Sequence, residues 1–458
     1  MEVLIKQTRL IEKILPSNNV LLDNTRFNKY CVSIDVDNSK LIFNGITGEL
    51  VLVNNELNED DKEYLISHYF LVNNDFNDKK FVDELRDVLN TVGKLNNNGI
   101  KAYTILTTTD CNARCFYCYE KGIEKHHMSV DTAGSVADYI LAHLSNREDE
   151  EVYSSEGMQE TMDKNISGVR LSWFGGEPLY NSRVIDVICN RLKDNNVKYY
   201  SSMISNAYLF DDELIYKAKN DWNLKNIQIT LDGNRDTYNK TKNYIDRDIN
   251  IDPFDRVINN ISKLIENEIK VTIRLNMSNS NYDDLIDLVD YVYAKLGNNK
   301  YYSVYSHLLF QDEMKDDSEY IRLLYDKHLR LQEHINDLGI FTNNLFKGIK
   351  ANACMADGLS SVVILPDGKL HSCEHINENY TWGSIYTNES KNSVMPYWEE
   401  KYDELDECNN CVYYPNCIRL KHCPDVFDRC FSYKRNEYIT KLKWAMLKAY
   451  RKHLNKNI

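Results

Sequence analysis

The chain has 458 residues, 43% of them hydrophobic, with a formal net charge of −14. That length exceeds one ordinary domain, the acidic balance argues against nucleic acid as the main partner, and no apolar run reaches the ~18 residues of a membrane span. The first residues, Met-Glu-Val-Leu-Ile-Lys, carry charges where a secretion signal needs an apolar core, so the expected location is cytoplasmic. Thiols stay reduced there, and the twelve cysteines are expected to bind metal rather than to form disulfides.

Residues 1–97 read as a small α+β module. Tyr30–Val36 and Lys40–Asn44 alternate around an Asp37-Asn38 turn, and Glu49–Val53 can add a third strand. Helical patterns follow at Glu59–Tyr69 and Lys79–Val92.

Between residues 98 and 310, short β-type runs alternate with longer helical ones. The expected strands are Tyr103–Thr108, Val169–Phe174, Tyr199–Ile204, Ile227–Leu231, Lys270–Leu275 and Tyr301–Leu308. The intervening helices are Ser129–Leu144, Asn181–Lys193, Asp211–Lys219, Pro253–Ile265 and Tyr282–Lys295. Such alternation specifies a parallel sheet with right-handed crossovers, here an open, partial (β/α)6 barrel. The acidic stretch Asn146–Asp163 reads as a surface loop or lid.

The unusual residues fall together. Cys111, Cys115 and Cys118 follow the first strand and Gly175-Gly176-Glu177-Pro178 the second. Ser205-Asn206-Ala207 follow the third and Asp232-Gly233 the fourth, and Arg274-Leu275-Asn276 end the fifth. All lie at the carboxyl ends of strands, where α/β barrels assemble active sites.

The C-x3-C-x2-C run, with aromatic Tyr117 before its third cysteine, resembles the signature of the radical S-adenosylmethionine (radical SAM) enzymes. The resemblance implies that Cys111, Cys115 and Cys118 hold three irons of a 4Fe–4S cluster. The fourth iron would then be open to the methionine part of SAM. Gly175, Gly176 and Glu177 resemble the family's GGE motif, with Glu177 taking the SAM ammonium; a tight strand-to-helix turn explains the glycines alone. Ser205 and Asn206 stand where the family has Thr-Asn-Gly, with Ala207 replacing the glycine. Thr230 and Asn276 match other SAM contacts, and Lys240 or Lys242 would meet the carboxylate. Asp232 is the candidate general base by similarity to sulfatase maturases, or a turn cap. His126 and His127 are expected to face solvent. A zinc knuckle is the competing reading of the three cysteines.

After a helical bridge at 311–350, residues 351–433 carry Cys354, Gly368, Cys373, then Cys408, Cys411, Cys417, Cys423 and Cys430. Their spacing resembles the SPASM domain, which holds two auxiliary iron–sulfur clusters. Five residues rather than three separate Cys417 from Cys423. By position, Cys354, Cys373 and Cys423 would ligate the first auxiliary cluster. Cys408, Cys411, Cys417 and Cys430 would ligate the second, for three 4Fe–4S clusters in all. Two structural zinc sites are the alternative. Cys31 and Cys189 remain, both in apolar settings. The tail from 434 to 458 has eight Lys or Arg against one Glu, and its apolar residues recur at helical spacing.

These resemblances imply a radical SAM peptide maturase. It would use a 5′-deoxyadenosyl radical to install a thioether or C–C cross-link in a ribosomally made precursor peptide. The N-terminal module resembles winged-helix-like leader-recognition domains, which add an extended leader as an extra strand; a cap on the open barrel is the plain alternative. Flavodoxin or ferredoxin would supply electrons. A sulfatase-maturase-like side-chain oxidase and a peptide epimerase are the other enzymatic readings, and an electron-transfer protein is the non-catalytic one.

Overall fold

The computed structural model describes residues 1–18, 20, 24–54, 56–95, 99–144, 168–245, 247–309, 318–341, 345–352, 354–418, 420–424, 430 and 432–455. The acidic stretch Asn146–Asp163 lies outside the described residues.

The chain opens with β1 (Glu2–Ile5), α1 (Arg9–Ile14) and a short β2 (Thr25–Phe27). The expected hairpin follows as β3 (Cys31–Val36) and β4 (Ser39–Asn44), with Asp37 in the left-handed backbone its turn requires, φ +48°. β5 (Leu50–Asn54) extends the hairpin, and β1 adds to it to give a four-stranded antiparallel sheet in the order β1-β5-β4-β3. α2 (Glu59–Ser67), β6 (Leu71–Asn73) and α3 (Asp78–Leu95) complete this part. Period-two alternation gives the sheet two apolar faces. Ile42, Val51 and Val53 join Leu65 of α2, while Leu41, Phe43 and Leu50 face the other way.

The barrel strands are β7 (Ala102–Thr108), β8 (Val169–Gly175), β9 (Tyr199–Ser205), β10 (Leu224–Leu231), β11 (Lys270–Met277) and β12 (Tyr302–Leu308). Each pairs in parallel with its sequence neighbours. The helices are α4 (Val130–Leu144), α5 (Ser182–Asp194), α6 (Asp212–Asn220), α7 (Arg235–Lys242), α8 (Pro253–Glu266) and α9 (Tyr282–Leu296). Their starts are coded locally: Asp211, Asn234 and Asp252 each accept the amide hydrogen three residues on, and Pro253 opens α8. The partial six-strand α/β architecture is therefore the one expected. The strand bounds differ from expectation by three residues at most, at the start of β10.

One feature of the C-terminal third was not expected. After α10 (Ser318–Asp337), β13 (Ser361–Ile364) pairs in parallel with β7. β14 (Lys369–His371) and β15 (Thr381–Ser384) continue outward antiparallel, making nine strands in one sheet. The cysteine-rich region thus begins as an extension of the barrel sheet on the β7 side. Strands of three and four residues carry too little periodicity to be read from sequence.

α11 (Met395–Glu399) is followed by α12 (Ser432–Leu454), the expected tail helix. Its Leu442 and Met446, both 0% exposed, pack on Leu41, Phe43 and Leu50 of the N-terminal sheet. Among the described residues no helix is long and apolar enough to cross a membrane.

The N-terminal part also grips the second cysteine group. Arg86 of α3, 7% exposed, donates from Nη2 to the carbonyls of Tyr414 and, at 3.1 Å, Cys417. Its guanidinium lies 4.6 Å from the Tyr414 ring centroid, and the Tyr414 hydroxyl donates to Asp83 at 2.6 Å. Arg86→Ala should cost about 1.5–3 kcal/mol, the range for hydrogen bonds from a charged group, read from urea unfolding. An unchanged urea midpoint would show that α3 docks without it.

Candidate active site

The cysteine loop leaves the end of β7 and is locked from both sides. Gly176 N–H donates to Thr108 O at 3.1 Å and Glu177 N–H to Asp110 O at 3.0 Å. A Cβ on Gly175 would stand 2.1 Å from Thr108 O, and one on Gly176 2.3 Å from Asp110 O. Gly175 also takes φ +119°, which side chains resist. The glycine pair is therefore the condition for the loop to close against β8.

Glu177 is fully buried. Its Oε1 accepts from Leu179 N–H at 3.1 Å and the Ser205 hydroxyl at 2.8 Å, while Oε2 accepts from Asn206 N–H at 2.8 Å. Burial pushes its carboxyl up to about 7, against the pull of Asn206, Ser205 and Leu179. Glu177 thus clamps β8 to β9. Three of its lone pairs are used, which leaves one for a ligand. Asn206 continues the chain of contacts, donating to Asn112 Oδ1 at 2.7 Å and reaching Cys111 Sγ at 3.8 Å. Ala207 adopts φ +60°, the conformation the expected glycine would take freely, at about 1–2 kcal/mol.

Beneath the loop lies a buried ion pair. Lys242 Nζ stands 3.0 Å from Asp232 Oδ2, with 4% and 2% of their side-chain surfaces exposed. The Tyr117 hydroxyl donates to Asp232 at 2.8 and 2.9 Å, Asn276 Nδ2 donates to Asp232 Oδ1 at 3.2 Å, and Lys242 reaches Tyr117 Oη at 3.1 Å. Burial disfavours the Lys242 ammonium, yet Asp232, Tyr117 and Cys115 together hold it well above the usual lysine range. The two lysines left open by sequence differ in burial. Tyr238 and Lys242 share the buried face of α7, and Lys240 is exposed. Three donors, Tyr117, Asn276 and Lys242, converge on Asp232, so this carboxylate ties the cysteine loop, β11 and α7 together. Thr230 sits half-buried at the end of β10, in register with Arg274, and His126 and His127 are exposed.

The three thiols of the loop lie within electrostatic reach of Cys111 or Cys115. Cys111 accepts Ala113 N–H at 3.3 Å, and burial lifts its thiol to about 12, with Glu177, Cys115 and Cys118 adding. Cys118 is raised for the same first reason. A cationic group would reverse that bias, since metal binding deprotonates its cysteines. Among the described residues no three such side chains converge on one ion. A cube takes one thiolate per corner.

The other seven cysteines fall into two groups. Cys354, Cys373 and Cys423 lie within each other's electrostatic reach, and Cys408, Cys417 and Cys430 each lie within reach of Cys411. The first group is linked to the active-site loop by Tyr119, whose ring lies 4.4 Å from that of His375 between centroids, tilted by 38°. Cys189 is buried in the barrel core and Cys31 packs in the N-terminal sheet. Asn112, fully buried with its Nδ2 unpartnered, was not foreseen. Nothing in its sequence context separates it from an ordinary loop asparagine.

Residues 105–292 match the family described as Radical SAM superfamily. An uncharacterised protein of Methanocaldococcus jannaschii is 27% identical over 30% of this chain and 40% of its own length. GTP 3′,8-cyclase of Clostridium perfringens is 28% identical over 42% of this chain and 51% of its own length. The chain thus spans about half or less of these relatives. Radical SAM cyclopropyl synthase TigE of Paramaledivibacter caminithermalis aligns over 84% of this chain and 86% of its own, at 22% identity. The solved structure of native anSMEcpe with bound AdoMet has the same fold, with a TM-score of 0.54 over 77% of this chain and 99% of that one, at 16% identity. The same protein with bound AdoMet and Cp18Cys peptide gives 0.51 over 78% and 99%, at 15% identity.

Two outcomes follow for the metal-free chain. Asp232→Asn should cost about 3–5 kcal/mol by leaving Lys242 buried and unpaired, and adding Lys242→Met should recover most of it. A double variant no more stable in urea than the single one contradicts the pairing. Glu177 binds its proton more tightly when folded, so its contribution to stability is complete below about pH 4.5 and is lost as pH rises through about 7. Glu177→Gln should flatten that part of the pH–stability profile, and an unaltered slope would assign it to other groups.

Proposed function

We propose that this chain, which carries a radical SAM domain over residues 105–292, is a peptide maturase that removes hydrogen from a precursor peptide and closes a thioether or C–C cross-link within it. The observation that carries the reading is the placement of the Cys111–Cys118 loop at the carboxyl end of β7, on the glycine pair and over the Asp232–Lys242 pair. Cys111, Cys115 and Cys118 would hold a 4Fe–4S cluster. With SAM, that cluster supplies a 5′-deoxyadenosyl radical able to take hydrogen from an unactivated C–H bond.

The chain's own residues bind and orient. Gly175 and Gly176 fix the loop, Asn206 and Asn112 steady Cys111, and Lys242 offsets negative charge beside Cys115. The remaining capacity of Glu177, Ser205, Asn206, Thr230, Asn276, Tyr117 and Lys242 faces SAM in this reading. Cys354, Cys373 and Cys423, with Cys408, Cys411, Cys417 and Cys430, would hold two auxiliary clusters that accept the electron a net oxidation releases. A flavodoxin or ferredoxin would supply the reducing electron.

A peptide substrate is supported by one likeness: the anSMEcpe structure of the same fold holds a peptide. Among the described residues, edge strand β3 pairs only with β4 in its sheet. An extended leader can add there by backbone pairing.

Anaerobic reconstitution with iron, sulfide, SAM and a strong reductant should yield 5′-deoxyadenosine from the wild-type chain and none above background from Cys115→Ala. Cys354→Ala should still form 5′-deoxyadenosine while leaving a co-expressed precursor peptide unmodified. No 5′-deoxyadenosine from the wild type would end the reading. A modified peptide of unchanged mass would replace cross-linking, which loses two hydrogens, with epimerisation.

A further inference from the structure

Lys391 is a buried lysine with an unusual set of partners. It begins the short 3-10 turn Lys391–Val394 and is only 6% exposed. Its Nζ donates to the carbonyls of Met355 at 2.6 Å, Gly358 at 2.6 Å and Ser361 at 3.1 Å. These carbonyls span the segment between Cys354 and β13, so one ammonium ties down the loop that presents Cys354.

All three of its N–H bonds go to neutral oxygens. Among the described residues no carboxylate pairs with it. Asp357, whose field reaches it, accepts the Cys354 N–H at 3.0 Å through Oδ1. A buried cation without a counter-ion is unfavourable. Burial pulls Lys391 down to about 8, and the groups that oppose this are Cys354, Asp357 and Cys373. Cys354 and Cys373 are thiols. They become anions when they bind metal. The charge that balances Lys391 therefore arrives with the group these cysteines hold.

We propose that Lys391 is the counter-charge of the first auxiliary cluster, a positioning residue that fixes the Cys354 loop and makes that cluster easier to reduce. The proposal rests on Cys354, Cys373 and Cys423 being cluster ligands. A fixed cation in a low-dielectric setting favours the more negative, reduced form, and local charge and hydrogen bonding are among the levers that set iron–sulfur potentials.

The test is a redox titration followed by electron paramagnetic resonance, with iron counts, on the anaerobically reconstituted full chain. The signal of this site is the one lost in Cys354→Ala/Cys373→Ala. Lys391→Gln removes the charge and should lower the midpoint of that signal by at least 59 mV, tenfold for a one-electron couple. Lys391→Arg keeps the charge and should hold the wild-type midpoint. Loss of the signal in Lys391→Gln but not in Lys391→Arg supports the same conclusion. A wild-type midpoint in Lys391→Gln, an equal shift in Lys391→Arg, or failure of both variants to bind iron there overturns it. If Cys354→Ala/Cys373→Ala removes neither iron nor signal, the ligand reading itself fails and Lys391 has no cluster to balance.

Discussion

The buried pair of Lys242 and Asp232 is the contact on which the active-site face depends, because it ties the cysteine loop to three elements of the barrel at one point. Lys242 ends α7, Asp232 follows β10, Asn276 belongs to β11, and Tyr117 comes from the cysteine loop. The backbone repeats the connection: Arg114 N–H donates to Lys242 O at 2.8 Å, and Ile245 N–H to Asn112 O at 2.9 Å. A buried ion pair adds little net stability, since desolvation consumes most of the attraction, but breaking it is expensive. Its consequence here is geometric. The loop bearing Cys111, Cys115 and Cys118 cannot drift from the barrel without exposing or orphaning one member of the pair.

The three groups of thiols share an electrostatic logic. The chain is acidic overall, yet each group has cations of its own. Lys242 faces Cys115, Lys391 faces Cys354 and Cys373, and Cys417 feels Lys434 and Arg86 while Cys411 feels Arg435. Buried thiols resist ionisation by the same desolvation that raises Cys111, Cys354, Cys373 and Cys417. Cations fixed nearby offset that resistance locally, without requiring the surface to be basic. Net charge and local charge thus answer different questions, the first about bulk partners and the second about what the cysteines can hold.

Much of this was readable from the chain because the signals were periodic. Strands β7 to β12 are short apolar runs between capped helices, and their bounds follow from where Asp, Asn and Pro can begin a helix. The cysteine grouping was implied by the family resemblance and not by spacing, since Cys423 falls with Cys354 and Cys373 and not with its sequence neighbour Cys417. Lys242 and Lys240 were not separable in sequence, because only the orientation of α7 places one inside and the other in solvent. Lys391 was invisible for a related reason: its partners are backbone carbonyls more than thirty residues away, and carbonyls have no sequence identity. The contacts of Asp232 with Lys242, Tyr117 and Asn276 were not legible either, because a carboxylate after a strand looks the same whether free or paired.

The longest-range feature is the way the two ends of the chain meet. α12 covers one face of the N-terminal sheet through Leu442 and Met446, while α3 grips the loop of Cys411 and Cys417 through Arg86 and Tyr414. The β4–β5 turn is pressed against residues 347–349 so closely that a Cβ on Gly48 would lie 2.5 Å from Gly348 N. The N-terminal sheet is therefore no tethered appendage. Leu41 and Phe43 of β4 lie under α12, whereas β3 forms the rim of the same sheet. A chain adding along β3 would pair with a strand already braced from behind, and so would lose less to ordering than one landing on a free hairpin. The same bracing ties α3 to the Cys417 carbonyl through a single side chain, Arg86.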